Sequence, residues 1–334
     1  MRIGVILDSR APASELAELG RLAEAQGLSA VWTSSLIDAR DPFTNLAPLA
    51  TTTHSIRLGP IAVNPFDTHP VRIATSLLTL NELASGRAQI VIGGGGEALE
   101  ALGIAPARRV RAVRECLEIV KGAGAEKPSS YEGEIYRVEA YHPYWATAPK
   151  PHVFAAANGP QMLRMAGRVA DGIMVSDLPV ALLRDAVRTT REAVPKEKQR
   201  TFGVDNFIAW HVYDDVDTAR KEARQWLALR GLFRRHVITT FLSDADYDLI
   251  DAKKASFFNA LARRTHEIDG VPERILDALV DNMTLCSPIE EIDDVIAHLR
   301  EFAAAGLTDI ALRLYRNPAE SIRLIGERLV PALA

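Results

Sequence analysis

The run "GGGGEALEALG" at residues 93–103 joins four glycines to a carboxylate and is the stretch of this chain best suited to chemistry. Glycines let a backbone approach a planar ring or a phosphate and adopt positive φ without steric cost, which leaves Glu97 at a loop edge as an acid. An ordinary strand-to-helix turn, with a carboxylate favoured by the helix dipole, explains the same residues, and both readings stand on the residues alone. In "AAANGPQM" (155–162), Asn158, Gly159 and Pro160 end a strand and open a helix whose free N–H groups suit a phosphate or carboxylate. Taken alone, that stretch reads more plainly as an Asn cap followed by a first-turn proline. A third stretch, "AVNPFDTHP" (62–70), is a polar turn between two prolines, Pro65 after a strand and Pro70 at a helix start.

All three leave short apolar runs, and those runs define the scaffold. "IGVIL" (3–7), "SAVWT" (29–33), "SIRLGPIAV" (55–63), "AQIVIGG" (88–94), "HVFAAA" (152–157), "GIMVS" (172–176), "FGVDNFIAWHV" (202–212) and "DIALRLY" (309–315) are each trailed by a helical pattern. Such βα repeats predict an α/β protein, a (β/α)8 TIM barrel forming one domain over the whole chain. A doubly wound sheet shares the alternation, but the first turn, "LDSRAPAS", lacks the glycine spacing that fold places there. Chemistry in a barrel sits at the C-terminal strand ends. The residues to inspect are therefore Asp8, Ser34, Ser35, Asn64, the glycines with Glu97, Asn158, Gly159, Ser176, Asp177, His211 and Arg313. They contain no close trio of metal ligands and no evident nucleophile with its base. His211 reads as a satisfied strand-end histidine.

Two stretches interrupt the alternation. "SSYEGEIYRVE" (129–139) predicts a hairpin over the barrel rim. Residues 216–283 carry apolar positions at helical spacing, too many for one repeat, and predict a helical insertion between strands seven and eight that caps the site or joins a second subunit. Its basic part, "RKEARQWLALRGLFRR", reads as a solvated helix face rather than a membrane or nucleic-acid contact. A net charge of −4 without a long basic run argues against nucleic acid as partner, and no apolar stretch reaches the length of a membrane span. The N-terminal run is too short for a signal peptide. With Cys116 and Cys286 far apart, no disulfide framework is indicated, and the reading is a soluble, cytoplasmic protein.

These motifs occur together, in order, in one family. On "LAEAQGLSAVWTS", the segment from "IRLGPIAVNPFDTHP" to "GGGGEALEALGI", "YEGEIYRV", "AAANGPQMLRMAGRVADGIMVS" and "SPIEEIDDVIAHLREFAAAGLTDIALRLY", the chain resembles the luciferase-like flavin and deazaflavin oxidoreductases. It is most similar to the methylenetetrahydromethanopterin reductase branch, which uses coenzyme F-420. The resemblance implies hydride transfer between C5 of the deazaflavin and a small organic substrate over its ring. An FMN-dependent monooxygenase is the alternative enzyme, and a cofactor-binding protein without catalysis the alternative class. It further implies a bulge on strand three with a non-proline cis peptide at Ile61–Ala62, backing the central ring, and a turn from Asn64 facing it. Glu97 matches a proposed proton donor, Gly94, Gly95 and Gly96 pass beside the ring, and Asn158 and Gly159 with Ser176 hold the tail and its phosphate. Asp8, Ser34 and Ser35 complete the expected cofactor contacts. Where relatives carry an acidic residue followed by His, this chain has Ser35 and Leu36, and leucine relays no proton. A homodimer formed through helices near strands two and three is implied as well.

Overall fold

The computed structural model describes the backbone of residues 1–334 and every side chain except those of Glu97 and Ala98. Its centre is a ring of parallel strands: β1 (Arg2–Leu7), β2 (Ala30–Ser34), β3 (Arg57–Ile61), β4 (Gln89–Ile92), β5 (His152–Ala156), β6 (Gly172–Ser176), β7 (Gly203–Tyr213) and β8 (Asp309–Arg313). They follow one another around the barrel as β3-β2-β1-β8-β7-β6-β5-β4, and bridges from Leu58 to Ala88 and from Val63 to Ile92 close the ring. The strands are apolar along nearly their whole length because helices cover their outer face and side chains fill the inner one. Outward residues such as Val5, Val31 and Ile90 join the helices in the main core. Inward, Ile6, Ala30, Trp32, Ile61, Val91, Phe154, Met174 and Ala311 pack together, with Trp32 and Phe154 edge-to-face at 6.0 Å between ring centres. This plug is the floor of whatever binds at the C-terminal mouth.

Strand β3 carries the expected bulge, for a reason visible in its own residues. From Leu58 to Val63 it advances five residues while β4 advances four, from Ala88 to Ile92. Leu58 N–H donates to Arg87 O at 3.3 Å on the β4 side. The next position facing that way is Pro60, which has no N–H to give, and pairing resumes only where Val63 N–H meets Val91 O at 3.0 Å. One residue is left over, as a bulge requires. The Ile61–Ala62 peptide, however, is trans, which corrects the expected cis bond. Ile61 O accepts from Ser35 N–H at 2.8 Å, and a non-proline cis bond would cost roughly 3 kcal/mol that the trans bond avoids.

The hairpin is present as Ser129–Glu132 and Arg137–Tyr141. Its turn is held by buried Glu115, whose carboxylate accepts from the N–H groups of Glu134, Ile135 and Tyr136 at 2.9, 3.0 and 2.9 Å. Tyr136 then donates to Pro65 O at 2.7 Å, so the hairpin grips the loop after β3. The insertion is helical, from Val216–Gln225 to Glu273–Met283. It returns through a strand that the sequence pattern does not predict, Thr284–Pro288, which pairs in parallel with the upper half of β7 while β8 pairs with the lower half. The basic stretch is not one solvated helix. It breaks at Trp226 into two 3-10 turns, Leu227–Leu229 and Gly231–Phe233, and Arg230 between them is buried. No helix among the described residues is long and apolar enough to cross a membrane.

Candidate active site

At the C-terminal mouth lies a cavity of about 550 Å³. Its floor is the top of the barrel plug, Ile61, Ala62, Val91, Ala156, Met174 and Phe207, and its polar wall comes from the strand ends, Ser34, Ser35, Asn158, Ser176 and Asp177. The 3-10 turns of the insertion supply the remaining side with Leu229, Arg230, Gly231, Phe233 and Arg234. An apolar floor beneath convergent polar groups suits a flat organic ring with a polar edge. The β3 bulge is what brings Ala62 to this floor, since Pro60 ends regular pairing just below it.

Of the residues singled out in sequence, Ser34, Ser35, Ile61, Ala62, Gly96, Asn158, Ser176 and Asp177 line the cavity together. Asn158 Oδ1 accepts from Ser176 N–H at 3.1 Å and so ties the ends of β5 and β6. Gly159 caps the helix Pro160–Val169 with φ −92°, and a Cβ built there or on Gly96 would meet nothing within 4 Å. Both glycines border open space at the mouth. Gly94 and Gly95 sit behind, Gly95 with φ +71° against Leu99. The side chain of Glu97, the expected acid, lies outside the described residues.

Two expected contacts, Asp8 and Asn64, are engaged elsewhere, and His211 is the satisfied strand-end histidine that its position suggested. Asp8 does not line the cavity; its carboxylate takes Arg10 N–H at 3.1 Å and faces Arg313 at 3.6 Å. Asn64 is buried and spends its amide on its own turn, accepting from Phe66 and Asp67 N–H at 3.0 and 3.2 Å and donating to Asp67 at 2.7 Å. That Asx turn, with His69 Nδ1 accepting from Val71 N–H at the helix start, accounts for the polar stretch between the two prolines. His211 is fully buried, 3.0 Å from Glu222, and stacked 5.0 Å from the Tyr315 ring. Burial holds its imidazole below the ordinary value against the pull of Glu222, so it stays neutral.

Sequence reasoning missed the wall from the insertion. Arg230 and Asp177 face each other at 3.3 Å with 3% of each side chain exposed, and Gly231 N–H adds a bond to Asp177 at 3.1 Å. Burial pushes the Asp177 carboxyl up, and Arg230, Arg234 and that N–H pull it back. Arg230 also lies 4.8 Å over the Phe207 ring. Arg234 donates to Ser176 O at 2.8 Å. The available signal was Gly231, whose position inside a supposed helix marks a break.

Comparison with known proteins places this geometry. A 5,10-methylenetetrahydromethanopterin reductase of Archaeoglobus fulgidus is 27% identical over 333 aligned residues, covering 96% of each chain. An F-420-dependent glucose-6-phosphate dehydrogenase of Nakamurella multipartita is 31% identical, with 65% of this chain and 69% of that one aligned. The solved coenzyme F-420-dependent tetrahydromethanopterin reductase of Methanopyrus kandleri shares the fold with a TM-score of 0.75, covering 100% of this chain and 99% of that one at 20% identity. The model of one family, the luciferase-like monooxygenases, matches residues 1–309, through all the elements that build the cavity and up to the start of β8. The chain belongs to the luciferase-like monooxygenase family.

Proposed function

We propose that this protein is an oxidoreductase that moves a hydride between coenzyme F-420 and a small organic substrate bound over its ring. The observation that carries the reading is the cavity itself, an apolar floor closed by the β3 bulge, with open space over Gly96 and Gly159 where a ring and its tail fit without steric conflict. The names of the relatives, which include F-420-dependent enzymes, favour the deazaflavin over FMN.

When bound, the deazaflavin supplies the hydride chemistry, and the chain's part is to align the two reacting carbons and handle a proton. Ile61 and Ala62 would support the ring from below. Gly96 would flank it, with Gly94 and Gly95 behind, and Ser34 and Ser35 would offer hydroxyls at its polar edge. Asn158, Gly159 and Ser176, with the N–H groups opening the helix Pro160–Val169, hold the tail and its phosphate. With Leu36 at the position where relatives carry His, the proton comes from Glu97 or from solvent. A homodimer in the cytoplasm is proposed on the resemblance alone.

Fluorescence titration of the purified protein with F-420 and with FMN tests the assignment. F-420 is expected to bind with micromolar or better affinity and FMN more weakly. Equal affinity, or preference for FMN, overturns it. Tight F-420 binding without turnover across a broad substrate panel supports the binding-protein alternative.

A further inference from the structure

The barrel has a second opening, at the end away from the mouth. Beneath the Trp32–Phe154 pair lies a cavity of about 250 Å³. Its polar wall is built by residues that open strands, Arg2 of β1, Arg57 of β3, Gln89 of β4 and Asp309 of β8, together with Asp205 of β7. Register places Arg2, Asp309 and Asp205 side by side on three neighbouring strands. Trp32 turns its indole nitrogen to this side, 3.5 Å from where a Cβ on Gly4 would stand.

The polar groups here do not satisfy one another. Arg2 and Asp309 do, through two bonds of 2.8 Å each. Arg57 is half-buried and has no acidic partner or hydrogen-bond acceptor among the described residues. Burial and the neighbouring Arg2 charge hold its guanidinium below the ordinary value, against the pull of Asp309. Gln89 Nε2 and Asp205 Oδ1 have no hydrogen-bond partner either, in residues only 2% and 3% exposed. Buried polar atoms without partners are rare in folded proteins, and two of them lining one cavity mark a place for a ligand. Its chemistry follows from the groups. A guanidinium and an amide N–H call for the oxygens of an oxyanion. A carboxyl oxygen in the same wall repels such an ion unless a proton lies between them. Burial and the adjacent Asp309 raise the Asp205 carboxyl, so it takes or shares a proton readily.

We propose that this cavity binds a small oxyanion carrying an acidic O–H, of the phosphate kind: Arg57 and Gln89 donate to its oxygens, and its hydroxyl shares a proton with Asp205. Sulfate has the same size and shape but brings no proton of its own at neutral pH, so it binds only when Asp205 supplies one. The site lies away from the mouth and is independent of the deazaflavin reading. An ion held there ties β3, β4 and β7 together at the base of the barrel and stabilises the fold by mass action.

The test titrates wild type, Arg57→Gln and Asp205→Asn by calorimetry with inorganic phosphate and with sulfate, at neutral pH and constant ionic strength. Wild type is expected to bind one phosphate, and sulfate about 10-fold more weakly. Arg57→Gln should weaken phosphate binding about 10-fold, and phosphate should raise the melting temperature of wild type more than that of this variant. Asp205→Asn offers either an amide N–H or a carbonyl, so the preference between the two anions should vanish. No saturable heat from wild type up to about 50 mM phosphate would show that the cavity holds solvent only and overturn the proposal. Equal affinity of wild type for the two anions, or a preference that persists in Asp205→Asn, overturns the part given to Asp205. Phosphate binding undiminished in Arg57→Gln places the ion elsewhere, such as the start of the helix Pro160–Val169, and overturns the site. Arg57 has no partner within the protein to lose, so this last comparison stands even if Asp205→Asn fails to fold.

Discussion

Replacing Gly59 by alanine tests whether β3 and β4 must touch to shape the cavity floor. A Cβ at this position would stand 1.7 Å from the carbonyl oxygen of Gln89 and 2.6 Å from its carbon. An ordinary carbon–oxygen contact needs about 3.3 Å, so the strands must part by about 1.5 Å. The obstacle is backbone, and no rotamer change relieves it. Parting stretches the hydrogen bonds that close the barrel here: Leu58 N–H to Arg87 O at 3.3 Å, Val63 N–H to Val91 O at 3.0 Å and Gly93 N–H to Val63 O at 2.8 Å. At about 1 kcal/mol for each bond, with some buried groups left unpaired, Gly59→Ala should cost about 3 to 5 kcal/mol. Urea unfolding followed by circular dichroism measures it. Gly159→Ala is the counterpart: its Cβ meets no protein atom within 4 Å. Stability should move by less than about 1 kcal/mol, and upward if at all, because alanine restricts the unfolded chain. Its F-420 affinity should nonetheless fall, since the methyl enters the open space. A cost below about 1 kcal/mol for Gly59→Ala would refute the account of barrel closure.

Three further perturbations separate the roles assigned above. Glu97→Gln should slow single-turnover oxidation of bound reduced deazaflavin by about 100-fold with little change in affinity, and an unchanged rate would make solvent the proton source. Arg230→Met removes the nearer of the two cations beside the buried Asp177 carboxyl and should destabilise by about 3 kcal/mol in urea, while Arg230→Met combined with Asp177→Asn should recover most of it; a double variant no better than the single would show that the pair is not the cause. Glu24 accepts from His54, Ser55 and Ile56 N–H at 2.8, 2.5 and 3.0 Å. Burial alone would raise its carboxyl, but these bonds and the Ser55 hydroxyl hold it down at about 2. A depressed carboxylate stabilises the fold above its unfolded value, near 4.5, and loses that contribution as pH falls through about 2. The stability gap between wild type and Glu24→Gln should therefore be complete above pH 4.5 and shrink toward pH 2, and a gap independent of pH would contradict this.

The barrel was legible because its strands are buried on both faces and therefore read as unbroken apolar runs between helices. Thr284–Pro288 escaped because it is partly polar, ends in proline and is paired along one edge only, to β7. Pro60 stood in plain view inside a strand and does explain the bulge, but the local sequence is silent on peptide geometry there, and the Ile61–Ala62 bond is trans. At the site, Ser34, Ser35, Gly96, Asn158, Ser176 and Asp177 were legible from their place after the strands, and Ile61 and Ala62 from the family resemblance. Asp8 and Asn64 share that place, yet each is claimed by a neighbour: Asp8 faces Arg313 from the far end of the chain, and Asn64 folds onto its own turn. Arg230 was misread because helical spacing predicts an exposed face, whereas its burial depends on Asp177, 53 residues away.

Strand β7 has a double engagement: its lower half belongs to the barrel and its upper half to the strand that ends the insertion. The chain therefore leaves β7 at Tyr213 and comes back alongside the same strand at Thr284. Whatever lies between has both ends moored to one rod, with a further mooring where Arg230 and Gly231 meet Asp177. Such a segment is a cassette. Its length and composition can drift, or be exchanged in the laboratory, without asking the ring of strands to change register. Since Leu229, Phe233 and Arg234 come from the cassette while Ile61, Ala62 and Asn158 come from the ring, selection for new substrates and retention of the old cofactor would act on different stretches of chain.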